Sequence, residues 1–249
     1  MKNVVSMEMT VRELVARRPK VRPVLEQLGV DYCCGGGRSL ADAARDTGVD
    51  AATLIRAVEE AIAAPEPAGR ETRDWSIAPI TELVDHIQNR HHAYLRRELP
   101  RVAELLGKVR RVHGAHHGQM LEAVAARFEP LSVELEAHLA KEEQVLFPYF
   151  RKLDLHASGR GARPASPGHG APDLVRELEQ EHDGAGAAIH TIARLTSSYR
   201  PPADACPTFR ALIEGLKALE DDLHEHVHLE NNILYPSALE LERPRSQAV

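Results

Sequence analysis

The chain reads "HEHVHLENNILYP" over His224–Pro236 and "AHLAKEEQVLFPY" over Ala137–Tyr149. Set on His138 and His226, both phrases carry a glutamate four residues on, then Leu, an aromatic residue and Pro: Glu142, Leu146, Phe147 and Pro148 against Glu230, Leu234, Tyr235 and Pro236. A His-x-x-x-Glu spacing places both side chains on one helical face, one turn apart. Written once, it marks an ordinary surface pair; written twice with matching downstream residues, it marks a duplicated unit. The duplication reaches further upstream, since His92 stands 46 residues before His138 and His182 stands 44 before His226. Each half is one helix with a lone His followed by one with His-x-x-x-Glu.

The surrounding residues keep the helical period. Leu216, Leu219, Leu223, His226, Glu230 and Ile233 recur at three- and four-residue steps, as do Leu131, Leu135, His138, Glu142 and Val145, and Val175, Leu178, His182 and Ile189. His92 shares a shorter stripe with Leu95 and Leu99. The polar residues therefore point at a core. Long amphipathic helices are expected near 79–112, 117–152, 173–198 and 204–241, with turns at Gly114 and Gly118, at "SGRGARPASPGHGAP" and at "RPPADACP". Four such helices with short connections form an antiparallel four-helix bundle.

Upstream of the bundle, Thr10 with Glu13 makes a capping box, and Ser39 and Asp50 offer further N-caps, while Pro19, Pro23, Gly29 and the glycines at 35–37 interrupt. Three short helices make a small module. The stretch "APEPAGRETRDW" reads as a linker. The expectation is an all-α chain: a helical module over 1–63, a linker over 64–75 and the bundle over 76–241.

Two inward glutamates need compensation, because a buried carboxylate without a partner costs several kcal/mol even after relaxation. A dinuclear metal centre supplies it, with imidazoles on each cation and the carboxylates bridging. Candidate ligands are His92, His138, Glu142, His182, His226 and Glu230. Mixed imidazole and carboxylate donors with open positions suit iron or manganese. Glu134, one turn before His138, and Glu181, beside His182, are candidates for supporting contacts or metal access. Glu143 projects about 100° from Glu142 on an ideal helix and is expected in solvent. Surface or loop positions are expected for His91, His116, His117, His156, His169 and His190, and exposed ones for His224 and His228; His86 and His113 stay open.

Composition excludes some classes of partner. Net charge is −6 with the basic residues scattered among acids, so no footprint for nucleic acid stands out. No run of 18 apolar residues exists, and the N-terminal stretch lacks a signal-peptide pattern, so no membrane partner and a cytoplasmic location are expected. Oligomeric state is left open. Cys33 and Cys34 in "DYCCGGGRSL" are adjacent; their Cα separation of about 3.8 Å is shorter than a relaxed disulfide span, so a bond between them would be strained. The glycines after them expose amide groups that can lower a thiolate pKa. Transient metal handling or thiol exchange is one reading of this pair, and a tight turn with incidental cysteines is the other. Cys206 is read as structural.

These features together resemble the repair-of-iron-centres family, of the YtfE/ScdA/DnrN type. Its members are di-iron proteins implicated in restoring iron-sulfur clusters after nitrosative and oxidative damage. "DYCCGG" with Leu40 is similar to the family's short cysteine domain. "HLAKEEQVLFP", "EQEHDGAG" and "HVHLENNILYP" are similar to its hemerythrin-like bundle. The resemblance implies two iron ions, oxo- or hydroxo- and carboxylate-bridged, on the six candidate ligands above, with Glu142 and Glu230 as the bridges. It further implies damaged iron-sulfur proteins as clients, nitric oxide or dioxygen as small ligands, and a stress-response role by iron supply, by nitric oxide removal, or by both. Two other roles remain open: a di-iron nitric oxide reductase, which is the reaction the chain would run as an enzyme, and an oxygen- or nitric-oxide-sensing module. The segment from Ser158 to Pro172 is longer than the family pattern.

Overall fold

The computed structural model describes residues 5–33, 35–64 and 73–243. Cys34 and residues 65–72 of the expected linker lie outside that set. Among the described residues the fold is all-α; the only β pairing is a single bridge between Thr10 and Ser39.

The N-terminal helices are α1 (Val11–Arg17), α2 (Arg22–Gln27), α3 (Leu40–Thr47) and α4 (Ala51–Ala63). Thr10 and Glu13 form the capping box at α1, and the side chains of Ser39 and Asp50 accept from the first turns of α3 and α4. α2 is a helix beyond the three that the sequence predicts, and Pro23, expected to interrupt, lies in its first turn. Proline in a first turn removes an N–H that has no helical partner anyway, so α2 starts on it. Val11, Val15, Val21, Leu25, Leu40, Leu54 and Val58 are fully buried and close a small core of their own.

The bundle comprises α5 (Ile80–Ile87), α6 (Ala93–Lys141), α7 (Phe147–Ala157), α8 (Ala171–Leu195), α9 (Pro207–Leu229) and α10 (Tyr235–Glu242). α6 is helical along its whole length, with Pro100 and Pro130 inside it, yet it is not straight. Arg110 Nη1 lies 3.1 Å from Glu129 Oε1, whereas the intervening residues of a straight helix would set them about 28 Å apart. The chain reverses between 110 and 122, around Gly114 and Gly118, and α6 supplies two antiparallel limbs.

Three π turns interrupt the bundle, at Gln88–His92, Glu142–Leu146 and Glu230–Leu234. Each begins or ends on a candidate ligand. A π turn holds one residue more than an α turn and so shifts the helical face that follows it. Val145 shows the effect: periodicity put it on the inward face, but it is 43% exposed while Leu146 is fully buried.

Two apolar cores fill the bundle. One joins Leu95, Leu99, Leu139, Ala185, Leu219 and Leu223; the other joins Ile87, Leu146, Leu178, Ile233 and Leu234. The candidate ligands lie where the two cores meet: His92 between Ile87 and Leu95, His182 between Leu178 and Ala185, His138 and Glu142 on either side of Leu139, and His226 and Glu230 on either side of Leu229. The polar site is thus a layer sandwiched by two dry ones.

Candidate metal centre

The six candidate ligands converge, and all are at most 3% exposed. His92 Nε2 lies 3.1 Å from His226 Nε2, and His138 Nε2 lies 3.0 Å from His182 Nε2. Each pair takes one histidine from each half of the duplication, so neither half forms a site by itself. Glu142 Oε2 is 3.3 Å from His92 Nε2 and 3.4 Å from His138 Nε2. Glu230 reaches His226 at 2.9 Å through Oε1 and His182 at 3.3 Å through Oε2. Both carboxylates therefore span the two imidazole pairs.

This donor set fits two cations. An octahedral site with bonds of about 2.1 Å has edges of about 3 Å, which is the spacing within each imidazole pair. His92, Glu142, His226 and Glu230 offer ligand atoms all within 4.8 Å of one another, and His138, His182 and Glu230 do likewise. Glu142 Oε2 and Glu230 Oε2 are buried and make no hydrogen bond among the described residues. An orphaned buried carboxylate oxygen is costly, and a bound cation removes that cost.

Without a cation, protons do part of the work. Burial opposes charge on His92 and His138, but Glu142 and Glu230 outweigh it and hold the imidazoles up at about 10 and about 9. Burial and the charge of Glu230 push Glu142 upward, yet His138 and His92 hold it down at about 2. Glu230 is held well below its usual range against the same burial by His226, His182 and His92. The Tyr235 hydroxyl donates to Glu142 Oε1 at 2.5 Å.

The outward ring nitrogens are anchored. His92 Nδ1 meets Glu143 at 2.8 Å, His138 Nδ1 meets Glu181 at 2.9 Å, and His182 Nδ1 meets Asn231 at 2.8 Å. Such contacts fix the tautomer and orientation of a metal-binding imidazole. Glu143 was expected in solvent; it instead sits between His92 and Arg96, brought there by the approach of α6 to the π turn at 142–146. Glu181 is shared with Lys141. Glu134 is exposed and makes none of these contacts among the described residues.

Two further histidines depart from the surface expectation. His91 is fully buried, because the extra residue in its π turn brings both His91 and His92 inward; its Nδ1 lies 3.0 Å from Asp222 Oδ1. His228 is 2% exposed, faced by the Tyr32 ring and by Asn232. Burial, with Arg22 and Arg12 nearby, holds its imidazole down at about 3, so it is neutral. His86 packs its ring against Trp75. His116, His156, His169 and His190 are exposed, while His117 and His224 are partly buried.

The N-terminal module sits on the Glu230–Leu234 turn. Asn232 Nδ2 donates to Tyr32 O at 2.9 Å and Asn232 Oδ1 accepts from Arg12 Nε at 2.9 Å. A Cβ at Gly36 would collide with the Asn232 carboxamide, so glycine is what lets the module approach. Asn231, which holds His182, also donates to Cys33 O at 3.4 Å. Cys33 is buried with its Sγ 3.2 Å from Asp31 Oδ1, one side chain removed from His182.

Beyond the other core, His113 Nε2 lies 3.2 Å from Cys206 Sγ, which answers the open question about His113. Backbone N–H groups of Phe209 and Thr208 and the His113 ring bring the Cys206 thiol down to about 7. Alkylation of Cys206 by iodoacetamide, followed by peptide mapping, is expected to reach half its maximal rate near pH 7. His113→Ala should move that midpoint upward, and an unchanged profile would rule out the contact.

Comparison with known proteins follows the same outline. Residues 83–238 match the family described as the hemerythrin HHE cation binding domain, and residues 7–62 match ScdA_N, a domain of unknown function. The iron-sulfur cluster repair protein YtfE of Citrobacter koseri is 35% identical, over 91% of this chain and 94% of its own length. YtfE of an Escherichia coli strain is 36% identical over the same shares, and the probable iron-sulfur cluster repair protein of Haemophilus influenzae is 35% identical over 91% and 95%. With the bundle, the buried His and Glu clusters and the N-terminal module all accounted for, the chain belongs to the hemerythrin HHE family and, within it, to the YtfE-type iron-sulfur cluster repair proteins.

Proposed function

We propose that this chain is a di-iron protein serving repair of iron-sulfur clusters damaged by nitrosative or oxidative stress. The observation that carries the reading is the pair of buried carboxylates, each spanning two facing imidazole pairs. In this reading residues 76–241 form the metal-holding bundle and 1–63 the module bearing Cys33 and Cys34, joined through 64–75. His92 and His226 hold one iron and His138 and His182 the other, with Glu142 and Glu230 between them.

When bound, the irons supply exchangeable metal and electrons for nitric oxide chemistry. The chain's own residues set the terms of that exchange. Glu143, Glu181 and Asn231 keep three imidazoles aimed inward, and Tyr235 steadies Glu142. The two apolar layers exclude water from the site on both sides along the bundle axis. His92 and His138 take up protons as metal leaves, so the site is never left with two bare buried carboxylates.

Protein purified without oxygen is expected to carry two irons per chain. It should restore activity to an enzyme whose [4Fe–4S] cluster has lost iron, and do so better than an equal amount of free ferrous ion. Loaded protein that performs no better than free ion would end the iron-supply reading; nitrous oxide from the reduced protein would then favour nitric oxide reduction.

A further inference from the structure

Three of the four inward histidines are anchored through their second ring nitrogen, and the fourth is not. His226 Nδ1 is buried with no hydrogen-bond partner among the described residues. One turn earlier on α9 stands Asp222, whose Oδ2 is also buried and unpartnered. Its other oxygen is taken by His91 Nδ1 at 3.0 Å. The His91 ring lies parallel to that of His226, 4° between planes and 5.4 Å between centroids, and His91 Nε2 is a third buried orphan. Asp222 is 8% exposed, His91 0% and His226 1%.

Two orphaned polar atoms one turn apart on α9, His226 Nδ1 and Asp222 Oδ2, call for an explanation, because a buried polar group without a partner is costly. Residues four apart on a helix have Cβ atoms about 5–6 Å apart, a span that one bridging water closes, and a buried water takes two to four polar partners. We propose that Asp222, held by His91, positions His226 for metal through one ordered water. The water accepts from His226 Nδ1–H and donates one hydrogen to Asp222 Oδ2. Both orphaned atoms on α9 then have a partner. The arrangement gives His226 the anchor that Glu143, Glu181 and Asn231 give the other three, and it explains why a histidine and an aspartate that touch no metal are buried here.

The inference rests on the two-metal reading, and the test separates the two. Full-length protein is titrated anaerobically with cobalt(II) in competition with a chelator. Wild type is expected to take two equivalents; no uptake would remove the metal centre itself. Asp222→Leu is expected to weaken one equivalent about 10–100-fold, the range for losing such a supporting contact, and to leave the other unchanged. Asp222→Asn, which keeps an acceptor oxygen, should recover most of the loss, and Asp221→Asn on the exposed neighbour should match wild type. In the zinc-loaded protein, the His226 imidazole N–H should give a slowly exchanging proton resonance that disappears in Asp222→Leu. Equal weakening of both equivalents, wild-type affinity in a folded Asp222→Leu, or a His226 resonance that survives it would each overturn the proposal. Should the leucine variant fail to fold, Asp222→Ala measured the same way decides the question.

Discussion

Glu230→Ala is expected to cost the protein both metals, whereas His226→Ala should cost mainly one. Glu230 is fully buried and contributes to both groups of potential ligand atoms, touching His226 and His182 from its two oxygens and His92 at 3.7 Å. Removing it leaves two cations facing four neutral imidazoles, with Glu142 as the sole internal counter-charge. Two divalent ions held close together in a low-dielectric layer repel strongly, and one carboxylate does not offset that. His226 serves only one imidazole pair, so its loss leaves His138, His182 and both carboxylates in place. The measurement is metal per chain after anaerobic purification and desalting, beside circular dichroism to confirm folding. Expected values are two for wild type, near zero for Glu230→Ala, and about one for His226→Ala. A Glu230→Ala protein that keeps two metals would show that Glu230 is not a bridge.

The metal-free protein should lose stability as pH rises, and the loaded protein should not. His92 and His138 have folded pKa values of about 10 and about 9, against about 6.5 in an unfolded chain. Raised values stabilise the fold fully below the unfolded pKa and progressively less as pH climbs through the folded ones. The loss therefore falls between about pH 6.5 and 10. Glu142 acts in the opposite sense: its value of about 2 gives stability above the ordinary carboxylate range that is lost as pH falls toward 2. His228, held at about 3 against about 6.5 in an unfolded chain, also costs stability as pH falls below about 6.5, so the metal-free optimum lies at the upper end of the interval between those windows, at about pH 6.5. Bound cations replace the two protons, so the alkaline slope disappears on loading. Denaturant midpoints measured from pH 5 to 10 with and without metal check this, and a flat metal-free profile above pH 7 would refute it.

Periodicity carried the fold and the convergence of the site because both depend on which residues share a helical face. It put His138, Glu142, His182, His226 and Glu230 on inward stripes, and the structure brings these five together with His92. It failed where the period itself changes. Val145 and His91 were misplaced by π turns, which no composition announces and which appear only when neighbouring helices meet. It also failed where burial comes from another part of the chain. His228 faces away from His226, but the N-terminal module lies against it, and nothing in "HEHVHLENN" says that a second body covers that side. Glu143 belongs to the same class: its partner His92 is 51 residues away, and the match is made by packing rather than by spacing.

The π turns carry a consequence for how this chain tolerates insertions and deletions. Each is an α-helix with one residue to spare, so deleting a single residue from 142–146 would restore the α phase. Everything downstream would then turn by about 100°, carrying Phe147 and Phe150 out of the core they fill. The same deletion in the exposed connection at 158–170 moves no buried side chain of the site. A shift of helical frame is therefore more disruptive here than most changes of residue identity, and the three places least able to gain or lose a residue are the turns that begin or end on His92, Glu142 and Glu230.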